Sequence, residues 1–340
     1  MKTKERYIHI DILRAIAILG VMLTHSLAVF LGPDKINIFW NYLHFVVVAF
    51  VGCSGYVTAF SYKRLGDMNL LSWYGKRFIR LYIPYALYVV SFALLGLLLP
   101  VFFHYTGISY TGKFFLSSFL LTGGVDVGWL TLLFIQLALI TPLLVGLLNN
   151  KRALILFLTA IGLFTLVTAF FRIPTMYSRA IAWLPWAGIF LLGGILAQRD
   201  SAKTPKSSNG ILLFAVLSFG TWLLLRFLLS NLHSPLTFTL HKYPPDLFYL
   251  SYGIAIAGVM YWVASRYQNR LQSANSPIAF LSKHSYGMFF LHLIILNGIT
   301  TVTKHGSALF VSFISITLTI LMTWIWMKIT ERIVSGGQGA

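Results

Sequence analysis

The sequence has 340 residues, 58% of them hydrophobic and only 10% charged, where an ordinary soluble domain is about a quarter charged. A mean hydropathy of +0.79 excludes a water-solvated globule, and the net charge of +18 is then to be read by where the basic residues fall rather than as nucleic-acid binding. The one cysteine, Cys53, excludes an intramolecular disulfide and leaves the redox compartment open.

Apolar runs of about 18 to 25 residues recur along the whole chain, each long enough to cross about 30 Å of hydrocarbon as a helix. They predict spans near 8–31, 38–62, 82–103, 129–148, 153–171, 181–198, 210–230, 246–265, 281–301 and 307–329. The fold class is therefore all-α, a polytopic membrane protein of about ten helices. Basic Lys2, Lys4 and Arg6 precede the first run, as in a signal peptide. The run is nevertheless too long, holds Asp11 and Arg14, and lacks a small-x-small cleavage site, so it is expected to stay as a helix. Residues 63–81 read as a basic amphipathic connection in which Leu70, Trp73 and Phe78 alternate with Lys76, Arg77 and Arg80. Phe114–Thr122 is too short to cross and is expected as an interfacial or re-entrant piece of the 104–128 loop. Residues 199–209 form a polar Ser/Lys/Pro linker.

Ten spans put both termini on one side. With that side cytoplasmic, inner segments carry eighteen Lys and Arg residues and outer segments six (Lys35, Lys113, Arg172, Arg179, Lys242 and Lys304), a strong positive-inside bias. The expectation is a multi-pass protein of the plasma membrane with both termini cytoplasmic, surrounded by lipid and without nucleic acid as a partner. Residues 1–332 form one transmembrane domain, followed by a short Gly-rich cytoplasmic tail at 333–340.

Ionisable residues inside a span are costly and call for a reason. The first helix carries Asp11, Arg14 and His25 in DILRAIAILGVMLTH. The step from Arg14 to His25 turns the helix by about 1,100°, or about 20° net, and advances about 16 Å. Both residues share one face, and Asp11 is within pairing reach of Arg14. Arg14 could snorkel to headgroups and His25 could make one interhelical hydrogen bond. The functional reading makes His25 a general base or proton relay and Arg14 the holder of an anionic group.

In GKRFIRLYIPY, Arg77 and Arg80 share a helix face suited to phosphate, although basic residues flanking a span also simply set topology. His292 lies near the middle of the ninth span, after Ser285 and Tyr286, and is either a packing histidine or a chemical one. Asp126 and Trp129 sit where the outer loop enters the fourth span, and an interfacial Trp is equally expected from the aromatic belt. His44 is a weaker candidate, and His104, His233, His241 and His305 show no metal-ligand spacing. No metal site and no permanently bound cofactor is expected. Gly52-Cys53-Ser54-Gly55-Tyr56 is not a nucleophile elbow, and there is no Walker loop, dinucleotide fingerprint or HExxH helix.

Taken in order, several pieces resemble the acyltransferase-3 family of membrane O-acyltransferases. They are Arg-x10-His on the first helix (Arg14, His25), Ser54-Gly55-Tyr56 in the second and Arg-x-x-Arg before a Pro-containing third span (Arg77, Arg80, Pro84). Trp129 at the fourth span and Ser285, Tyr286 and His292 near the end complete the set. The resemblance covers most of the chain. It implies transfer of an acyl group, acetyl or succinyl, from cytoplasmic acyl-CoA to a sugar hydroxyl of an extracytoplasmic cell-envelope or exported glycan. In that carry-over His25 deprotonates the acceptor or relays the acyl group, and Arg14, Arg77 and Arg80 hold the donor's phosphates. Asp11, Ser54, Tyr56, Asp126, Trp129, Ser285, Tyr286 and His292 are the remaining candidate pocket residues. Where many members have His before the tryptophan of the fourth span, this chain has Gly128. Some members also carry a fused hydrolase-like domain, and without one, transfer directly to the final acceptor is expected.

Two readings from other classes compete: a transporter or flippase for a polysaccharide or small anion, and a membrane sensor or scaffold. Oligomeric state is not legible.

Overall fold

In the computed structural model the described residues are 7–30, 39–63, 69–98, 111–171, 173, 179–201, 209–268, 275–302 and 307–336. Among them the chain forms thirteen α-helices: α1 (Ile8–Phe30), α2 (Phe39–Tyr42), α3 (Phe45–Lys63), α4 (Leu70–Leu98), α5 (Gly112–Phe119), α6 (Gly128–Leu139), α7 (Thr141–Asn149), α8 (Lys151–Phe170), α9 (Trp183–Asp200), α10 (Asn209–Asn231), α11 (Leu247–Tyr267), α12 (Asn275–Val302) and α13 (Ala308–Gly336). A 3-10 turn covers Phe238–His241. Nine helices among the described residues are long and apolar enough to cross a membrane, and α6 with α7 supplies a tenth span bent by 54°. Pro142, in the first turn of α7, has no N–H to continue the ladder across that break. Leu156, Leu213, Phe227, Leu309, Phe313 and Trp326 stay exposed on α8, α10 and α13. So much apolar surface is stable only against lipid.

The third span departs from its predicted start at residue 82. The helix begins at Leu70 and runs unbroken to Leu98, about 43 Å at 1.5 Å per residue. It therefore absorbs most of the stretch expected as a loop, while residues 64–68 lie outside the described set. The early turns hold because Trp73 is buried and the Tyr74 hydroxyl donates to the Leu139 carbonyl across 2.9 Å. The short apolar run forms the eight-residue α5, capped by the Thr111 side chain. It is tied to α4 by the Tyr82 and Tyr85 hydroxyls, which donate to the carbonyls of Phe119 and Ser118. At the carboxyl end, α13 continues to Gly336, into the predicted tail, and 337–340 lie outside the described residues.

Helix α1 is central and packs against α3, α11, α12 and α13. The tightest crossing is α3 on α9. A Cβ on Gly55 would meet the Phe190 carbonyl oxygen, and one on Gly193 would meet the Gly52 carbonyl oxygen. Small residues let the two backbones touch, which is how helices associate where the hydrophobic effect is absent. On the amino-terminal side of the bundle, Asp200 Oδ2 accepts from Tyr56 (2.8 Å) and Tyr261 (2.6 Å) and contacts His9 Nε2 at 3.0 Å, joining α1, α3, α9 and α11.

Candidate active site

The site grows along the seam between α1 and α12, which run parallel. At the amino-terminal side the Ser282 hydroxyl donates to Asp11 (2.5 Å), and one turn on Arg14 donates to Ser285 Oγ (3.1 Å). Toward the opposite side, His25 Nδ1 lies 2.8 Å from His292 Nε2. The two rings are parallel to within 2°. Thus the predicted Asp11, Arg14, His25, Ser285 and His292 fall on a single seam. Arg14 and His25 serve different stations along it.

The hydrogen bonds fix the tautomers. His292 Nδ1 faces the Met288 carbonyl oxygen at 3.1 Å, and a carbonyl only accepts, so Nδ1 carries the proton and Nε2 is left with its lone pair. That lone pair accepts from His25 Nδ1–H, so His25 Nε2 is left bare as an acceptor. His292 is buried, and His25 lines a cavity of about 230 Å³. An imidazole whose distal nitrogen is bare, and whose proximal N–H is held by a second group, has the arrangement of a general base.

This outer cavity also takes in Thr24, Trp40, His44, Asp126, Trp129, Lys242 and Tyr243. Asp126 and Trp129 are therefore brought to His25. His44 Nδ1 is held by the backbone carbonyls of Trp40 and Asn41, at 3.0 and 3.1 Å, which leaves its own Nε2 as an acceptor. Lys242 escaped the sequence reading as one more loop cation. Its loop is built rigidly: His241 bridges Asp246 and the Pro235 carbonyl, Asp246 caps α11 by accepting from Tyr249 N–H, and Asn41 accepts from Phe238 N–H at 2.8 Å. Burial raises the Asp246 carboxyl above its ordinary value against the opposing pull of His241. His241, given no role from sequence, is a loop clamp.

A second cavity, of about 710 Å³, opens on the amino-terminal side and is lined by Arg14, Ser54, Thr58, Arg77, Arg80, Lys283, His284 and Tyr286. Arg77 donates to Thr58 Oγ1 (2.6 Å), lies over the Trp73 ring, and has a buried Nε–H without a hydrogen-bond partner among the described residues. Four basic residues around one hollow, Arg14, Arg77, Arg80 and Lys283, suit a phosphate-bearing ligand. Lys283 and His284 were not singled out by the sequence, since they lie at the start of the predicted 281–301 span with no motif spacing to mark them. Pro84 lines the same hollow. Lacking an N–H, it cannot donate to the Arg80 carbonyl one turn earlier, although the helix continues through it to Leu98. Tyr286 anchors the floor, donating to the Leu81 carbonyl (2.9 Å) and therefore accepting from Thr131 (3.1 Å).

Phe50 lines both cavities. Its ring lies 6.1 Å from that of Phe134, itself 6.1 Å from Tyr286. The basic hollow and the His25 cavity thus share the Phe50 side chain as part of their walls.

Consecutive residues of Ser54-Gly55-Tyr56 project about 100° apart on α3 and do three different jobs. Ser54 faces the basic cavity, Gly55 allows the α9 crossing, and Tyr56 donates to Asp200. Tyr56 is not brought to the seam and lines a separate apolar cavity instead, so its place in the predicted pocket is corrected to one in the Asp200 cluster. At Gly128 a Cβ would stand 2.8 Å from the Tyr85 hydroxyl. Tyr85, fully buried, occupies the space a larger residue before Trp129 would need. No group of three or more metal-ligating side chains occurs among the described residues.

The acyltransferase domain, as a family, matches residues 7–327, nearly the whole chain. No curated protein and no solved structure gives a match. With its seam, its two cavities and its membrane-spanning helices, the chain belongs to the acyltransferase-3 family and is a membrane acyltransferase.

Proposed function

We propose that this protein transfers an acyl group, acetyl above others, from cytoplasmic acyl-CoA to a hydroxyl of a cell-envelope or exported glycan on the outer side of the plasma membrane. The observation that carries the reading is the Met288–His292–His25 relay, which presents a bare imidazole nitrogen to the outer cavity. The positive-inside bias supports a cytoplasmic position for both termini and for the basic hollow. Arg14, Arg77, Arg80 and Lys283 there suit the phosphates of a nucleotide thioester, with its thin pantetheine arm directed past Phe50. The modest outer cavity favours a small acyl group.

In the proposed step His25 Nε2 takes the proton of the acceptor hydroxyl as its oxygen attacks the thioester carbonyl carbon. The tetrahedral intermediate collapses with cleavage of the C–S bond, and the imidazolium returns the proton to the departing thiolate. His292 keeps the ring oriented throughout and accepts from Nδ1–H in both protonation states.

The test is mass spectrometry of envelope glycans from cells that lack the gene and carry either the wild-type or the His25→Ala protein. Acyl increments should appear with the wild type and fall by about 10²- to 10⁴-fold with the variant, the usual range for loss of a general base. Undiminished acylation at normal protein levels rejects His25 as the base. Glycan trapped inside the deletion strain would favour transport instead.

A further inference from the structure

The outer cavity carries a basic group that the imidazole relay does not use. Lys242 stands with Nζ 5.0 Å from the centre of the Trp129 ring and 5.1 Å from that of Tyr243, rings that pack edge-to-face on each other. No carboxylate lies within ion-pair distance of it among the described residues, although the exposed Asp126 lines the same cavity. A half-buried ammonium without a contacting carboxylate is a donor that an incoming anion satisfies. The imidazole lone pairs of His25 and His44 meanwhile suit the hydroxyls of the same ligand.

Resting on the acyl-acceptor reading of this cavity, we propose that Lys242 forms a subsite for a negatively charged group on the acceptor, a carboxylate or phosphate carried by the sugar. The aromatic rings of Trp129 and Tyr243 hold the lysine in place by cation–π attraction while it awaits the anion. The groups that face it are Asp126 on the approach to α6, His25 on α1, His44 before α3 and Tyr243 beside it. Burial lowers the Lys242 ammonium from its usual range to about 8, partly offset by the attraction of Asp126. The ammonium is therefore charged below about pH 8 and neutral above, so anion binding is present at pH 7 and lost as pH rises.

The experiment titrates the detergent-solubilised full chain with glucuronate, glucose 6-phosphate and glucose, following the tryptophan fluorescence at the cavity. It uses the wild type, Lys242→Met and Lys242→Arg, with release of CoA from acetyl-CoA measured on the same samples. One or both anionic sugars should bind at least tenfold more tightly than glucose at pH 7, and which of them does so identifies the anion. The preference should vanish at pH 9.5 and in Lys242→Met, and persist at high pH in Lys242→Arg. Equal binding of the three sugars, no binding, or a preference unaffected by Lys242→Met overturns the subsite. A Lys242→Met protein that slows turnover with anion binding intact overturns it as well, in favour of a role at the tetrahedral intermediate. A wild type that binds the anion through Lys242 but releases no CoA leaves the subsite standing and removes the acyl-CoA reading instead.

Discussion

Replacing His292 with leucine removes the acceptor for His25 Nδ1–H while filling a similar volume. In the native arrangement the 2.8 Å contact and the Met288 carbonyl behind it together hold His25 with Nε2 bare. With leucine at 292, presenting a bare Nε2 leaves a buried Nδ1–H unsatisfied, a penalty of about 1–3 kcal/mol, or roughly 5- to 150-fold in rate. His292→Gln, whose amide oxygen can accept the same hydrogen bond, should recover most of that loss. Because the only cysteine, Cys53, is buried, CoA release can be followed with a thiol reagent against low background. The reasoning is refuted if His292→Leu turns over at the wild-type rate while His25→Ala is inactive, or if the glutamine variant is no better than the leucine one in equally folded protein.

Removing the positive charge from the basic hollow with Arg77→Met or Arg80→Met should raise the KM for acetyl-CoA several-fold and weaken its salt dependence. An unchanged donor KM would detach the hollow from donor binding. Gly128→His forces a side chain onto Tyr85, and overpacking of this kind costs about 1–3 kcal/mol; the variant should melt several degrees lower unless Tyr85→Ala accompanies it. Asp200→Leu strips the acceptor from Tyr56 and Tyr261, at about 1–3 kcal/mol for each hydroxyl left buried. It should lower the yield of monodisperse protein, and normal yield and melting would show the cluster to be dispensable.

Much of this molecule is written in hydropathy. Runs of apolar residues set the spans because a helix must cross the hydrocarbon with its own hydrogen bonds closed, and a step of eleven residues puts Arg14 and His25 on one face whatever surrounds them. The family pattern through Arg14, His25, Arg77, Arg80 and Trp129 is likewise legible. Less legible was the start of α4, because an amphipathic turn that continues a span has the same composition as one lying beside it. Tyr56 was grouped with its neighbours in sequence, yet successive residues of a helix face different partners, and only the packing of α9 and α11 reveals Asp200 as its own. His292 lies 267 residues from His25, and no local period relates them. Their contact, the tautomer it imposes and the arrival of Lys242 above Trp129 come from how helices and a clamped loop pack together. The one-dimensional pattern thus determined which residues sit in the membrane and on which helical face, since those follow from solvent and screw symmetry. Which polar groups meet across helices was left to tertiary structure, because a hydrogen bond depends on distances between elements that the chain's order does not contain.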